Sequence, residues 1–309
     1  MFTQNKKMTK IDKYFKLMKF KSHFKNIPIL SSVIKKIKWK YYRPWYSKKW
    51  TEDHIKDFKL KTEGEREWTH NDQALLSLKN LHKGETAFII GNGPSLRAED
   101  LNRLHEKGIY CFAMNRINLI FDKTPWRPSC YVAIDRQMLR DGDTALQSVL
   151  QENIPLYLLA DVLYEGVHNP SSNVLYFYNQ PNSRYVPVHE FSSNIMEYIV
   201  DGFTVTYNAM QIAYYMGFST IYLLGVDFNY NNVTNIDGTV TKKNTKATYF
   251  DSRYDSNNNN SGFMSGMLSA YHTASDFCKN NNFKIINLTR GGNLDVFERD
   301  DFDSVVNQL

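Results

Sequence analysis

The residues best suited to chemistry form the loop 91–95, of sequence Gly-Asn-Gly-Pro-Ser, which follows the apolar run 87–90. Apolar residues at 96, 101 and 104 then recur at helical spacing. A strand, a glycine turn and the start of a helix can aim free backbone N–H groups at a phosphate. The glycines would let the backbone approach a ligand, and Ser95 can cap the helix. The loop therefore predicts a phosphate site, with a tight turn that binds no ligand as the alternative.

A polar residue follows each of seven short apolar, β-rich runs. The runs are residues 87–90, 108–114, 129–134, 155–160, 174–178, 220–224 and 283–286, and the polar residues are Asn92, Asn115, Asp135, Asp161, Asn179, Asp227 and Asn287. Helical patterns lie between them at 96–107, 145–152, 206–216 and 266–280. This alternation predicts a Rossmann-like α/β fold, with a mostly parallel sheet and helices on both faces. Because parallel strands end at one edge, the polar residues are expected to line a ligand cleft there.

Asp227 and Asp135 are the candidates for a catalytic base or a Mg²⁺ ligand, since a carboxylate can accept a proton from a hydroxyl or hold a metal against phosphate oxygens. His272, on the helical pattern 266–280, is a further candidate base. A purely structural histidine is the alternative there. The sequence shows no Walker lysine motif, nucleophilic Cys or Ser elbow, or metal-binding Cys/His cluster.

Three residues outside the glycine loop could also contact an anion. Thr204 or Thr206 would cap the helix that precedes the run 220–224 and leave its amides free to meet phosphate. A plain helix cap is the alternative. Arg290 follows the last apolar run and would place a cation at the same sheet edge.

The charge of the chain is uneven. Residues 1–60 hold 17 Lys and Arg against 4 Asp and Glu, whereas the rest holds 21 against 28. A basic amphipathic arm with Trp and Tyr is typical of segments that lie on an anionic membrane surface. A basic helix packed on its own domain and a partner-docking arm are the alternatives. The acidic body disfavours a nucleic-acid partner. We predict an arm at 1–60 and a Rossmann-like domain at 61–309.

Three scattered cysteines favour a reducing compartment, and we find neither a signal-peptide pattern nor about 18 consecutive apolar residues. We therefore expect a cytoplasmic protein, held by the arm at the inner face of the membrane. One segment, residues 229–262, is rich in Asn and Thr and interrupts the strand–helix pattern. It is interpreted as a flexible lid, with a tolerated insertion as the alternative.

Three motifs resemble those of the MptE-like domain family, named after archaeal 6-hydroxymethylpterin diphosphokinase. They are FIIGNGPSL at 88–96, YYMGFSTIYLLGVDF at 214–228 and GGNLDVFER at 291–299. Bacterial members include motility accessory factors and proteins encoded among surface-polysaccharide genes. The first two motifs also resemble those of Rossmann-like bacterial sialyltransferases, which use CMP-sialic acid. The resemblance covers roughly residues 84–300.

The resemblance implies roles for individual residues. A nucleotide would be held by Gly91, Asn92, Gly93, Pro94 and Ser95. Asn115 would contact the donor, and Gly225 and Asp227 would line the cleft. The sialyltransferases carry a catalytic His shortly after the Gly-x-Asp-Phe strand, and the first His after Asp227 in this chain is His272.

We therefore expect a transferase that uses a nucleotide-activated donor, either a nucleotide-sugar or ATP, and a glycan or small-molecule acceptor. A glycosyltransferase in bacterial surface-polysaccharide or glycan assembly is favoured. A Mg²⁺-dependent diphosphokinase of the 6-hydroxymethylpterin type is the first alternative. A non-catalytic nucleotide- or glycan-binding protein is the second. The sequence is compatible with Mg²⁺ but does not require it.

Overall fold

A computed structural model describes residues 43–135, 138–139, 144–161, 172–243, 247–255 and 261–309. The strands are β1 (Thr86–Ile90), β2 (Tyr110–Met114), β3 (Cys130–Ala133), β4 (Leu156–Ala160), β5 (Val174–Phe177), β6 (Asn179–Gln180), β7 (Ile199–Val200), β8 (Thr220–Leu224), β9 (Asn232–Thr234), β10 (Val240–Lys242), β11 (Ser261–Gly262), β12 (Lys284–Asn287) and β13 (Glu298–Arg299). The helices are α1 (Arg43–Thr62), α2 (His70–Ser77), α3 (Ala98–Glu106), α4 (Thr144–Leu150), α5 (Val205–Tyr215), α6 (Ser252–Asp255), α7 (Met264–Asn280) and α8 (Phe302–Gln308), with a 3₁₀ turn at Ile117–Ile120.

The described residues form an eight-stranded sheet in the order β13-β12-β8-β1-β2-β3-β4-β5, with every pair parallel. The predicted α/β fold is confirmed, and the seven predicted runs correspond to β1 to β5, β8 and β12. Strand order runs outward from β1 in one direction through β2 to β5 and in the other through β8 to β13. The strand order therefore reverses between the neighbouring strands β1 and β8, and such a topological switch point is where open α/β sheets bind ligands.

Helices cover both faces of the sheet, which is why the central strands are apolar throughout. Ala87 and Ile89 of β1 face a core that includes α5 and α7, whereas Phe88 and Ile90 face a second core that includes α3 and α8. These four β1 side chains are fully buried. Each large apolar side chain buried in this way stabilises the fold by about 1.5–3 kcal/mol. The two cores hold the strand ends in a fixed arrangement.

The register of the central strands brings their carboxyl ends level. Ile90, the last residue of β1, pairs with Leu224 at the end of β8 and with Ala113 near the end of β2. The residues that follow these three strands therefore emerge side by side at the switch point.

The described part of the polar segment 229–262 contains regular secondary structure, where the sequence predicted a loop. It contains a small sheet in the order β10-β9-β11, in which β9 and β10 are antiparallel. The Phe250 N–H donates to the Asn92 carbonyl at 3.0 Å. The nearby Asp251 carboxylate accepts hydrogen bonds from Arg253 and Lys123. These bonds fasten the segment to the glycine loop and to the region of the 3₁₀ turn.

The described part of the predicted arm is α1, which packs on the domain; residues 1–42 lie outside the described residues. Thr51 is buried, His54 stacks on Tyr178 with ring centroids 4.7 Å apart, and Lys61 pairs with Asp72 at 2.7 Å. This packing matches one alternative, a basic helix lying on its own domain. The boundary at residues 60/61 stays a prediction. Within the described ranges, no helix is both long and apolar enough to cross a membrane.

Candidate functional site

A cleft opens at the switch point between β1 and β8, with a cavity of about 90 Å³. It is lined by Gly91, Asn92, Gly93, Met114, Asn115, Thr204, Val205, Thr206, Gly225, Val226, Asp227, Phe228, Asn229, Tyr230, Thr248, Tyr249 and Tyr271. The structure thus brings together most of the sequence-predicted residues: Gly91, Asn92, Gly93, Asn115, Thr204, Thr206, Gly225 and Asp227. They come from three neighbouring strand ends and from the amino end of α5.

The glycines of the loop serve contacts within the protein. The Gly91 N–H donates to the Leu224 carbonyl at 2.7 Å, and the Gly93 N–H donates to the Gly225 carbonyl at 2.8 Å. A Cβ on Gly91 would lie 2.3 Å from the Gly225 oxygen, and one on Gly93 only 1.9 Å from Oδ2 of Asp227. The expectation that these two amides face a phosphate is therefore wrong, because both are bonded to the residues at the end of β8. The glycines let the two turns pack together.

Ser95 bonds to Asp227 and does not cap a helix. Its hydroxyl donates to Oδ2 of Asp227 at 2.7 Å. Helix α3 begins later, at Ala98, with Arg97 at its N-cap. The predicted capping role of Ser95 is wrong, because the intervening turn directs its hydroxyl toward the carboxylate. Pro94 is exposed and lies outside the cleft lining.

Asp227 is a buried carboxylate, with only 7% of its surface exposed. Burial raises the pKa of Asp227, an effect that the hydrogen bonds from Ser95 and the positive charge of Arg299 partly offset. The Asn293 N–H donates to the Asp227 carbonyl at 2.8 Å, and Gly292 packs directly against the Asp227 backbone. A buried acid with a perturbed pKa in a cleft has the properties of a functional group.

The helix whose amino end faces the cleft is α5. Its N-cap residue Thr204 has an extended backbone, with φ −150° and ψ 131°, and its side chain makes no capping hydrogen bond within the described structure. The predicted hydroxyl cap is wrong, although Thr204 does occupy the N-cap position. First-turn amides of a helix lack partners within that helix and carry a partial positive charge. This end of the cleft can therefore bind an anion.

Two asparagine side chains present unsatisfied acceptors to the cleft. The Asn92 amide donates to the Met114 carbonyl at 3.0 Å, which fixes its orientation. Its Oδ1 atom, like that of Asn115, is buried without a hydrogen-bond partner among the described residues. Asn115 and Phe228 also adopt positive φ angles, of 52° and 53°. Unpaired buried acceptors and strained backbone are features of ligand sites.

Besides Pro94 and Ser95, three predicted site residues lie outside the cleft lining. His272 is exposed on α7, and Asp135 is exposed just after β3. The Arg290 guanidinium forms an ion pair with Asp100, with a 3.0 Å hydrogen bond, and lies 3.6 Å from Asp303. Within the described ranges, no group of three or more His, Cys, Asp or Glu side chains is placed to hold a metal ion.

Two further strand-end residues have structural partners. The Asn287 side chain donates to the Leu294 carbonyl at 2.9 Å, and the Asn179 side chain accepts from Asn208 at 2.8 Å. Both residues are buried. Of the seven strand ends, those that line the cleft follow β1, β2 and β8.

The sequence reasoning missed the aromatic wall of the cleft, formed by Phe228, Tyr230, Tyr249 and Tyr271. Tyr230 and Tyr249 belong to the polar segment, where aromatic residues among Asn and Thr were an available signal. Tyr271 directly precedes His272 on α7, yet it is Tyr271 that is buried at the cleft.

Comparison with known proteins matches residues 66–233 to the family described as 6-hydroxymethylpterin diphosphokinase MptE-like. The match includes β1, β2, β8 and the amino end of α5. A comparison with curated proteins finds no match. Among solved structures, the MAf glycosyltransferase from Magnetospirillum magneticum AMB-1 is 17% identical, with a TM-score of 0.44. That alignment covers 76% of this chain and 38% of the other, so this chain spans less than half the length of that protein.

Proposed function

Because the chain belongs to the 6-hydroxymethylpterin diphosphokinase MptE-like family, we propose that it is a transferase that binds a nucleotide-activated donor in the cleft between β1 and β8. One observation carries this proposal. A helix amino end, a buried carboxylate and two unpaired asparagine oxygens meet at the topological switch point of a parallel sheet.

The groups in the cleft suit different parts of such a donor. The amides that begin α5 would bind a phosphate group, since the first N–H groups of a helix have no i−4 acceptor and lie at the positive end of the helix dipole. The side-chain oxygens of Asn92 and Asn115 would accept hydrogen bonds from N–H or O–H groups of the base or sugar. The rings of Tyr230 and Tyr249 offer apolar faces with polar tips, which suit a sugar or a base.

Glycosyl transfer is the reaction that we favour, with surface-polysaccharide or other glycan assembly as its setting. Asp227 would accept the proton of the acceptor hydroxyl as that oxygen attacks the sugar. Its raised pKa makes the carboxylate a stronger base than an exposed aspartate. The amino end of α5 would stabilise the negative charge that develops on the departing nucleotide.

A diphosphokinase is the second candidate, and the family's name favours it. In that reaction ATP would be the donor, and Asp227 would hold Mg²⁺ against the phosphate oxygens or accept the proton of the acceptor hydroxyl. A third possibility is a binding protein that uses the same cleft without catalysis.

Calorimetric titration of CMP, UDP, GDP and ATP, each with and without Mg²⁺, tests the proposal. Binding of CMP, UDP or GDP without a need for Mg²⁺ would support glycosyl transfer, and binding of ATP alone and only with Mg²⁺ would support the diphosphokinase. If none of the four binds under either condition, the nucleotide proposal fails.

Asp227→Asn separates an enzyme from a binding protein. With the nucleotide-sugar of the base that binds, an enzyme should release the nucleotide by transfer or slow hydrolysis. Asp227→Asn should lower that rate by at least about 100-fold and leave the dissociation constant within a few-fold. Binding without any release of nucleotide by the wild type would favour the binding protein.

The basic arm supports a proposal about location. Residues 1–42 carry twelve lysines against one acidic residue. We propose that they hold a cytoplasmic enzyme against the anionic inner face of the membrane, where lipid-linked acceptors would be within reach.

A further inference from the structure

The turn that carries Ser95 is closed by a backbone hydrogen bond. The Leu96 N–H donates to the Gly93 carbonyl at 3.1 Å, so the four residues from Gly93 to Leu96 form a tight turn. Pro94 occupies the second position of this turn, where its ring fixes φ near the value that the turn requires. Leu96 is buried in the core that includes α3 and α8. The proline ring and the buried leucine therefore fix the place of Ser95 between them.

This turn presents two donors of Ser95 to one oxygen of Asp227. The Ser95 hydroxyl donates to Oδ2 at 2.7 Å, and the Ser95 backbone N–H donates to the same atom at 3.4 Å. Gly93 also lies against Oδ2, since a Cβ on this glycine would be 1.9 Å from it. Because all three contacts involve the same oxygen, they restrict rotation of the carboxylate.

A second turn holds the backbone of Asp227. The Asn293 N–H donates to the Asp227 carbonyl at 2.8 Å, and Gly292 packs against the Asp227 backbone. The turns after β1 and β12 thus position the side chain and the main chain of the same residue. Asp227 lines the cleft, whereas Ser95 lies outside its lining. A residue that bonds to a buried acid of a cleft without lining the cleft itself is suited to orient that acid.

We propose that Ser95 is a positioning residue, which holds the Asp227 carboxylate by Oδ2 so that Oδ1 meets the acceptor hydroxyl in the cleft. This inference rests on the proposed function, in which Asp227 is the base of glycosyl transfer. As the acceptor oxygen bonds to the anomeric carbon of the sugar, its proton passes to Oδ1. The bond from that carbon to the phosphate oxygen breaks, and its electron pair leaves with the nucleotide.

A positioning role for Ser95 differs from the role that the family resemblance implies, a direct contact with the nucleotide. Loss of a direct contact weakens nucleotide binding. Loss of a residue that orients the base lowers the rate of the reaction and leaves binding unchanged. The rate and the dissociation constant therefore distinguish the two roles.

The test compares the wild type with Ser95→Ala, which removes the hydroxyl, and Ser95→Thr, which keeps one. The rate is that of nucleotide release from the donor that binds, a CMP-, UDP- or GDP-sugar or ATP with Mg²⁺, and calorimetry gives the dissociation constant. We expect Ser95→Ala to lower the rate roughly 10- to 100-fold and to leave the dissociation constant within about twofold. Ser95→Thr should retain most of the wild-type rate.

Ser219→Ala is the matched control for loss of a serine hydroxyl. The Ser219 hydroxyl donates to the Gly84 carbonyl at 2.9 Å, at the opposite edge of the sheet from the cleft. Ser219→Ala should leave both the rate and the dissociation constant unchanged. Equal loss of rate in Ser95→Ala and Ser219→Ala would overturn the positioning role, because the loss would then follow from stability alone.

A double-mutant cycle tests whether Ser95 acts through Asp227. In an Asp227→Asn background, Ser95→Ala should lower the rate by much less than it does in the wild type. Fully additive effects would overturn the inference. If Ser95→Ala does not fold, Ser95→Thr and Ser95→Val carry the test, because these side chains have nearly the same shape and differ in the hydroxyl. Equal rates in those two variants overturn the inference.

Failure of this inference is distinguishable from failure of the proposed function. Release of nucleotide by the wild type that Ser95→Ala leaves unchanged overturns the positioning role and leaves the function standing. Weaker nucleotide binding by Ser95→Ala, with an unchanged rate at saturating donor, also overturns the positioning role and supports a direct contact with the nucleotide. If the wild type releases no nucleotide from any of these donors, the function and the inference both fail.

Discussion

At the scale of the residue, the chemistry that we propose for the cleft centres on Asp227. Its carboxylate is buried at the end of a central strand, accepts a hydrogen bond from the Ser95 hydroxyl and lies against Gly93. Burial of a charged group costs free energy, so the ionised Asp227 carboxylate lowers the stability of the folded protein. This cost has a measurable pH dependence.

We predict that Asp227→Asn stabilises the protein at neutral pH. The pKa of Asp227 is about 3.8 in the unfolded chain and is raised in the folded protein. At a pH between these two pKa values, Asp227 is protonated in the folded state and ionised in the unfolded state. The stability contributed by Asp227 therefore falls as the pH rises through this window, and the buried charge is destabilising above it. Asn is neutral, and its side-chain oxygen can still accept the hydrogen bond from the Ser95 hydroxyl.

Thermal unfolding of both proteins from about pH 4 to pH 8 measures this effect. The melting temperature of Asp227→Asn should exceed that of the wild type at pH 8, and the difference should shrink toward pH 4. A variant that is less stable than the wild type at neutral pH, with no pH dependence of the difference, would contradict the pKa argument.

The sequence predicted the residues whose position follows from a strand end. Asn92, Asn115 and Asp227 each come after an apolar run, and parallel packing brings such positions together. It could not predict partners that only the folded chain brings near, such as Ser95 for Asp227, 132 residues away. Tyr271 was missed for the same reason, because its place in the cleft wall depends on the contact between α7 and α5.

At the scale of the element, the cleft depends on two turns that pack against each other. The loop after β1 donates two backbone hydrogen bonds to the end of β8, and glycine is required where the turns touch. The sequence identified this loop as a strand-to-helix turn but assigned its amides to a ligand. A glycine pattern shows that close approach is needed, and it does not show whether a ligand or another part of the chain approaches.

We predict that Gly93→Ala displaces Asp227 and weakens nucleotide binding at least tenfold. The new Cβ would lie 1.9 Å from Oδ2 of Asp227, so the carboxylate or the turn must move. The overpacking should cost about 1–3 kcal/mol of stability. Titration with the nucleotide that binds the wild type, together with thermal unfolding, measures both effects.

Gly84→Ala is the control for Gly93→Ala. Gly84 has a φ of +83° and open space around the site of a Cβ, and it precedes β1 at the opposite edge of the sheet. The substitution should cost about 1–2 kcal/mol through backbone strain alone and leave binding intact. Equal loss of binding in the two variants would show that binding responds to stability and not to the geometry of the turn.

At the scale of the whole molecule, the cleft lies at one edge of the sheet, and the sequence before α1 is basic. The fold was predictable because apolar strands alternate with helices along most of the chain, and β6, β7 and β13 were missed because each is only two residues long. The small sheet of segment 229–262 was missed because its strands are short and polar. The family match, residues 66–233, leaves the segment before α1 outside.

We predict that deletion of residues 1–42 abolishes binding to anionic vesicles and leaves the domain folded. The deletion removes a net charge of +11 and retains α1, whose Thr51 and Lys61 contact the domain. Sedimentation with phosphatidylserine vesicles measures the binding, and neutral phosphatidylcholine vesicles are the control. Unchanged sedimentation of the truncated protein with anionic vesicles would contradict the membrane role of the arm.

Amide hydrogen exchange with and without nucleotide tests most directly that the cleft between β1 and β8 is the donor site. The nucleotide that binds most tightly in the CMP, UDP, GDP and ATP series should slow exchange in peptides that contain residues 91–93, 114–115, 204–206 and 225–230, which line the cleft. Exchange at the opposite edge of the sheet, around Gly84 and Ser219, should stay unchanged. Slowed exchange at that opposite edge without any at the cleft, or no binding by any of the four nucleotides, would contradict the account.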